Sequence, residues 1–173
     1  MYQLSGGAPF CFDTGARGDG APVADYVLDR QGTRVHLIGE TRAVLTRLLN
    51  EPQFAGTYLA VSSTCDEPAW ARELMRLFHF EKGQERVPMH TLFGDLQEVY
   101  YASKAEHHRT ILKKVQRMDP SVTDFSQFLF FDNQQNNISA VSRVGVCSVY
   151  CGGGMTPGTF ERGLKMWRQM HKL

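Results

Sequence analysis

The chain has 173 residues, of which 42% are hydrophobic and 21% are charged, values typical of a globular domain with a core. Nineteen basic and eighteen acidic residues leave almost no net charge, which argues against nucleic acid or a membrane surface as an electrostatic partner. No apolar run approaches the roughly 20 residues that span a bilayer, and the first residues lack a signal-peptide pattern. The four cysteines show no CxxC spacing, so we expect free thiols and a cytoplasmic location.

The first third of the chain predicts a loop, a hairpin and a helix. Residues 1–22 are rich in Gly, Pro and Ala and are typical of a loop. Two short apolar runs within residues 23–38 flank Asp29-Arg30-Gln31-Gly32, which predicts a β-hairpin with glycine in its turn. The α/β core then begins at residue 39, with a helix over 40–50 whose apolar positions share one face. Pro52 ends this helix.

The middle of the chain alternates strand and helix patterns. A buried strand is predicted at 57–61, and it leads into the hydroxyl run Ser62-Ser63-Thr64. Hydroxyl groups at the carboxyl end of a strand, just before a helix, are suited to hold an anion, and the alternative is helix capping. A helix follows from Pro68. Residues 81–94 have a weak pattern and predict loops.

The next helix carries a lysine at its start. A short strand at 96–101 is followed by a helix from Ser103-Lys104 to Arg117, with inward-facing positions predicted at Ile111, Leu112, Val115 and Met118. His107 and His108 are adjacent, so they lack the i, i+4 spacing with which two histidines bind one metal on a helix.

An unbroken apolar run at 128–131, followed by Asp132-Asn133, predicts a parallel strand buried on both faces. Ligands of open α/β sheets lie beyond the carboxyl ends of the strands, where Asp132 stands. The alternative is that Asp132 and Asn133 cap the next helix, predicted at 133–143. A last strand at 146–150 and a helix after Thr156 complete the chain.

This order of elements predicts a doubly wound, mainly parallel α/β sheet, Rossmann-like, with helices on both faces. We expect one domain over residues 1–173. Three strand ends would then carry Ser62, Lys104 and Asp132: a hydroxyl, a fixed cation and a carboxylate of the kind that binds Mg²⁺. Positioning and neutralising a phosphate is what phosphoryl transfer requires of a protein.

With these motifs, the chain from about residue 23 onward resembles the magnesium-dependent phosphatases of the haloacid dehalogenase superfamily. The resemblance implies that fold with a minimal cap or none, an Mg²⁺ cofactor, and hydrolysis of phosphotyrosine-type or sugar phosphomonoesters through an aspartyl-phosphate. It also implies a monomer acting on a small phosphorylated substrate or a phosphoprotein. The matching segments are 29–33, 60–64, 101–104, 130–133 with Asn137, 145–146 and 154–156.

The resemblance also implies roles for single residues. Ser62, with Ser63 beside it, would bind the phosphoryl group, and Lys104 would bridge the nucleophile and the phosphate. Asp132 would bind Mg²⁺, and Asn133 would support it as part of the metal site.

One motif of the family is not found in the 173 residues, namely a buried strand that ends in Asp-x-Asp and supplies the nucleophile. Asp13 is followed two positions later by Gly15. Met1-Tyr2 and residues 6–10 resemble the segment that follows this strand in plant and protist members. We therefore expect a natural chain that starts earlier, and an inactive enzyme without that strand. The alternative is a true short product, a catalytically dead pseudophosphatase that binds or regulates.

Overall fold

A computed structural model describes residues 6–13 and 25–172. The predicted loop at 1–22 and the first two residues of the predicted hairpin lie mostly outside this part. No helix in it is long and apolar enough to cross a membrane. The strands are β1 (Tyr26–Leu28), β2 (Arg34–His36), β3 (Val61–Ser63), β4 (His79–Lys82), β5 (Glu85–Pro88), β6 (Gln97–Val99), β7 (Leu129–Asp132) and β8 (Cys147–Tyr150). The helices are α1 (Thr41–Asn50), α2 (Pro68–Leu77), α3 (Lys104–Met118), α4 (Gln135–Ser142) and α5 (Pro157–His171).

The strands pair two by two. β3 lies parallel to β6, with Ser62 opposite Glu98, and β7 lies parallel to β8, with Asp132 opposite Tyr150. β1–β2 and β4–β5 are antiparallel hairpins. Parallel pairs joined through helices confirm the mixed α/β class. Within residues 6–13 and 25–172, no strand ladder joins β3–β6 to β7–β8.

The turn of the β1–β2 hairpin is organised by a buried carboxylate. Asp29 Oδ1 accepts hydrogen bonds from the backbone N–H groups of Gln31, at 2.9 Å, and Thr33, at 2.8 Å. Gly32 has a φ of +77°, which a side chain would resist. The short polar sequence between the two strands therefore encodes its own turn.

The strand predicted at 57–61 begins later than expected. Pairing with β6 starts at Val61, whose N–H donates to the carbonyl of Leu96 at 3.0 Å, and Tyr58 is 42% exposed. The apolar run before Val61 is therefore not the buried strand, and the two serines belong to the strand itself.

The loops predicted at 81–94 are wrong in part, because β4 and β5 form a hairpin that begins at His79 and ends at Pro88. Phe80 and Met89 are buried in the largest core cluster. The sequence obscured the hairpin because its tip, Glu81 to Arg86, is charged and exposed on both strands.

α3 packs its inner face on both parallel pairs. Ile111 and Val115 are buried as predicted, but Met118 is 54% exposed because it is the last residue of the helix. Lys104, His107 and His108 are also buried on this helix. Polar groups thus replace apolar ones at the amino-terminal end of α3.

α5 packs closely against β7 and β8 at a glycine. A Cβ on Gly163 would lie 2.6 Å from Phe131 Cζ and 3.3 Å from Val149 Cγ2. Only a residue without a side chain allows this approach. This contact fixes the position of α5 on the β7–β8 pair, and Asp132 stands at the end of that pair.

Candidate functional site

The predicted residues Ser62, Lys104 and Asp132 come together at the carboxyl ends of β3 and β7. Lys104 is the first residue of α3, and its Nζ donates to the carbonyl oxygen of Ser62. The same Nζ lies 3.7 Å from Asp132 Oδ2. One ammonium group therefore links the ends of the two parallel pairs.

Lys104 is held by the start of its helix. Ser103 caps α3 by accepting from the Glu106 N–H, while the Glu106 side chain accepts from Ser103, which is a capping box. Lys104 is only 7% exposed. Burial lowers the pKa of the Lys104 ammonium, and the Asp132 carboxylate opposes that shift.

Asp132 uses its two carboxylate oxygens differently. Oδ1 accepts from the Gln134 N–H at 2.7 Å and from Asn137 Nδ2 at 3.1 Å. Oδ2 faces Lys104. Asp132 does not cap α4, because the N-cap residue is Gln134 and no side chain caps that helix. Oδ1 instead holds the turn before the helix, and Oδ2 points toward the shared site.

The structure places Asn133 apart from these contacts. Asn133 is exposed and makes no hydrogen bond with the part of the chain that the structure describes. Asn137, to which the sequence assigned no role, instead holds Asp132 Oδ1. Its position in the first turn of the helix after the aspartate is the sequence feature that could have identified it.

His107 is the site residue that the sequence reasoning missed. Its Nδ1 lies 3.0 Å from Ser62 Oγ, and its ring is fully buried with its edge toward Tyr100 at 4.5 Å between centroids. Burial, and then the nearby Lys104, lower the pKa of His107. His107 follows Lys104 by three residues, so both lie on one helix face. That spacing was the available indication.

Ser62 and Ser63 serve opposite faces of β3, as neighbours in a strand do. Ser62 faces α3, whereas Ser63 lines a cavity of about 360 Å³ on the side of α2. Trp70 and Met75 contribute apolar side chains to the lining of this open pocket. The two predicted hydroxyls therefore do not converge through their side chains.

The described residues fit a magnesium ion in part. Among them, no three His, Cys, Asp or Glu side chains cluster closely enough to hold a metal. Asp132 Oδ2 offers one hard oxygen ligand beside a cation that attracts phosphate. Mg²⁺ in phosphate-binding sites is held by one or two carboxylates, water and the substrate itself. Asp132 could therefore be one of these carboxylate ligands.

Similarity to known proteins agrees with this arrangement. The sequence model of the acid phosphatase family matches residues 4–170. The chain is 32% identical over 139 residues to human magnesium-dependent phosphatase 1, an alignment that covers 80% of this chain and 68% of the human protein. The chain therefore belongs to the acid phosphatase family.

Proposed function

We propose that this protein is a Mg²⁺-dependent phosphatase that hydrolyses phosphomonoesters. The observation that carries the proposal is the buried Lys104 ammonium, shared between the Ser62 carbonyl and Asp132 at 3.7 Å. A fixed cation beside a carboxylate can receive a phosphate dianion together with a metal ion. The name of the human relative supports the cofactor and the reaction class.

Each residue of the site then has one task. Lys104 neutralises the phosphoryl oxygens, and the Ser62 hydroxyl group donates a hydrogen bond to substrate. The Ser63 side chain lies on the opposite face of β3, so it does not share this task. Asp132 Oδ2 would hold Mg²⁺, while Asn137 orients the carboxylate by donating to Oδ1. Asn133 would support the metal site as the family resemblance implies, without a contact to this carboxylate. The metal supplies positive charge for the transferring group when it is bound.

A second candidate is a protein that binds phosphate without hydrolysing it. Hydrolysis through an aspartyl-phosphate needs a nucleophilic carboxylate. Asp132 is the one carboxylate that pairs with Lys104 in the described part of the chain, and the sequence has no Asp-x-Asp. This observation favours the pseudophosphatase as the alternative.

The proposal also covers the detailed fold, the location of the protein in the cell and its partners. We infer a single haloacid dehalogenase-like domain with a doubly wound sheet and a minimal cap, because both parallel pairs direct polar residues to one edge. We propose a cytoplasmic monomer that acts on a small phosphorylated substrate or a phosphoprotein, without nucleic acid or membrane partners. The four free cysteines and the near-zero net charge support it.

The test is hydrolysis of p-nitrophenyl phosphate with Mg²⁺ or with a chelator. The assay uses the 173-residue chain and a version extended upstream in its reading frame. We expect Mg²⁺-dependent hydrolysis by the extended version. If both versions bind phosphate but neither hydrolyses the ester, the binding protein is the correct description. If neither binds phosphate, both candidates are wrong.

A further inference from the structure

We propose that His107 is a positioning residue that donates its Nδ1–H to Ser62 Oγ and thereby leaves the Ser62 hydroxyl proton for a bound anion. The inference rests on the proposed function, in which Ser62 contacts the phosphoryl group. It assigns a task to a buried side chain that the proposed reaction does not otherwise use.

The geometry places two α3 side chains on one residue of β3. Lys104 donates to the backbone carbonyl of Ser62, and His107 Nδ1 lies 3.0 Å from its Oγ. His107 is fully buried, so the contact excludes water from that side of the hydroxyl. The helix thus fixes both the backbone and the side chain of Ser62.

The proton of the hydroxyl decides which group donates. A serine hydroxyl carries one proton and can accept further hydrogen bonds, whereas phosphate oxygens act as acceptors. If Ser62 donated to His107 Nδ1, it would have no proton left for the anion. Contact with an anion therefore requires the hydrogen of the neutral ring to lie on Nδ1.

The other ring nitrogen, Nε2, has two features that act in opposite directions. Nε2 is buried and makes no hydrogen bond of good geometry within residues 6–13 and 25–172, although the backbone of Tyr100 lies close enough to raise the pKa of the ring. A buried N–H without an acceptor is rarer in proteins than an acceptor without a donor. The lack of a well-placed acceptor favours a bare Nε2, whereas the nearby Tyr100 backbone favours a protonated one. The assignment of the proton therefore rests on the contact between Nδ1 and Ser62 Oγ and on the anion that Ser62 contacts.

Burial and the Lys104 ammonium lower the pKa of the His107 ring and favour its neutral form, although Glu98 and Glu106 act in the opposite direction. Burial has the largest effect on the pKa of His107. The charged or titratable groups that face the ring are Lys104, Glu106 and His108 on α3, with Glu98 and Tyr100 at β6. A neutral donor orients Ser62 while the positive charge at the site stays on Lys104.

The first experiment determines the tautomer of His107 directly. Long-range ¹H–¹⁵N NMR of the imidazole groups in the 173-residue chain shows which nitrogen of His107 carries the hydrogen. The Ser62→Ala variant identifies the His107 signal, because that signal should shift when its partner is removed. We expect a protonated Nδ1 near neutral pH. A protonated Nε2, bonded to Tyr100, overturns the proposal. This experiment requires no substitution of His107.

The second experiment measures affinity for inorganic phosphate by calorimetry. His107→Phe keeps a ring but loses the donor, and His107→Asn keeps an N–H donor near the Nδ1 position. We expect affinity to fall about tenfold in His107→Phe and in Ser62→Ala, the loss of one hydrogen bond, and to stay within about threefold in His107→Asn. The double variant His107→Phe/Ser62→Ala should bind no worse than Ser62→Ala.

The outcomes separate this inference from the proposed function. If His107→Phe binds phosphate like the wild type, or weakens binding equally without Ser62, His107 does not act through the serine. In a version that hydrolyses p-nitrophenyl phosphate, unchanged hydrolysis by His107→Phe and by Ser62→Ala leaves the phosphatase standing and overturns the positioning role. If the wild type binds no phosphate, the anion contact of Ser62 is wrong, and with it the proposal.

Discussion

The ends of β3 and β7 meet at one ammonium group but are built in different ways. Asp132, at the end of β7, is held by groups two and five residues further along the chain. Ser62, in β3, is held by Lys104 and His107, which lie 42 and 45 residues away. The β7 end is therefore a local structure, whereas the β3 end exists only when α3 is docked.

The largest effect is expected where the two ends are joined. Lys104→Met removes the group that contacts both Ser62 and Asp132, and we expect phosphate affinity to fall about a hundredfold, as for the loss of charge-assisted hydrogen bonds. Calorimetry measures it.

Lys113→Met is the matched control because it removes an equal charge from an exposed position of the same helix. It should change affinity less than about threefold, through screened long-range attraction alone. Equal losses in the two variants would mean that overall charge, and not the contact at the strand ends, attracts the anion.

The sequence predicts the local β7 end better than the β3 end, which depends on the docking of α3. The apolar run before Asp132 predicted the strand that ends there, and the partners of Asp132 Oδ1 lie within five residues. The partners of Ser62 depend on how α3 docks, which Ile111 and Val115 determine by packing against residues distant in sequence such as Leu96. The spacing of Lys104 and His107 indicates that both lie on one face of α3, but it does not indicate that this face meets Ser62.

A second substitution tests whether the close packing of α5 against β7 contributes to the stability of the protein. Gly163→Ala places a methyl group 2.6 Å from Phe131, and we expect the free energy of unfolding to fall by about 2 kcal/mol, a typical overpacking cost. Gly158→Ala on the same helix meets only Thr156 Oγ1 at 4.0 Å. It should leave stability unchanged or raise it by up to about 1 kcal/mol. Urea unfolding distinguishes them, and equal stabilities would contradict the close approach of α5.

The local contacts of Asp132 can be tested with two asparagines. Asn137→Ala removes the donor to Oδ1, and we expect the affinity for Mg²⁺ in the presence of phosphate to fall about tenfold, as when a group that orients a metal ligand is lost. Asn133→Ala should change it less than about twofold, because Asn133 is exposed. The reverse ranking in a calorimetric titration would restore Asn133 as the supporting residue.

The smallest effect concerns the docking of α3 against β7. His108 is buried, its Nδ1 contacts the Lys104 carbonyl at 2.7 Å, and its ring meets Phe130 edge to face. Burial lowers the pKa of His108, so below its ordinary value of about 6.5 the unfolded chain binds a proton that the folded chain does not. Stability should therefore fall with decreasing pH, by on the order of 1 kcal/mol per pH unit for each such histidine.

Urea unfolding at pH 7.5 and pH 5.5 measures this loss. His108→Phe keeps an aromatic ring and removes one titrating group, so its stability should fall less than that of the wild type over the same interval. Identical losses would show that His108 is not protonated on unfolding in this range, and that the acid sensitivity arises elsewhere.

The most direct test of the metal site uses Asp132→Asn. The amide oxygen can still accept from Gln134 and Asn137, so the local turn is retained while the charge at Oδ2 is removed. Phosphate affinity is measured by calorimetry with and without Mg²⁺ for both proteins. We expect Mg²⁺ to tighten phosphate binding in the wild type and to have no effect in Asp132→Asn. Equal enhancement by Mg²⁺ in the two proteins would contradict the assignment and leave Asp132 with only its role in the turn before α4.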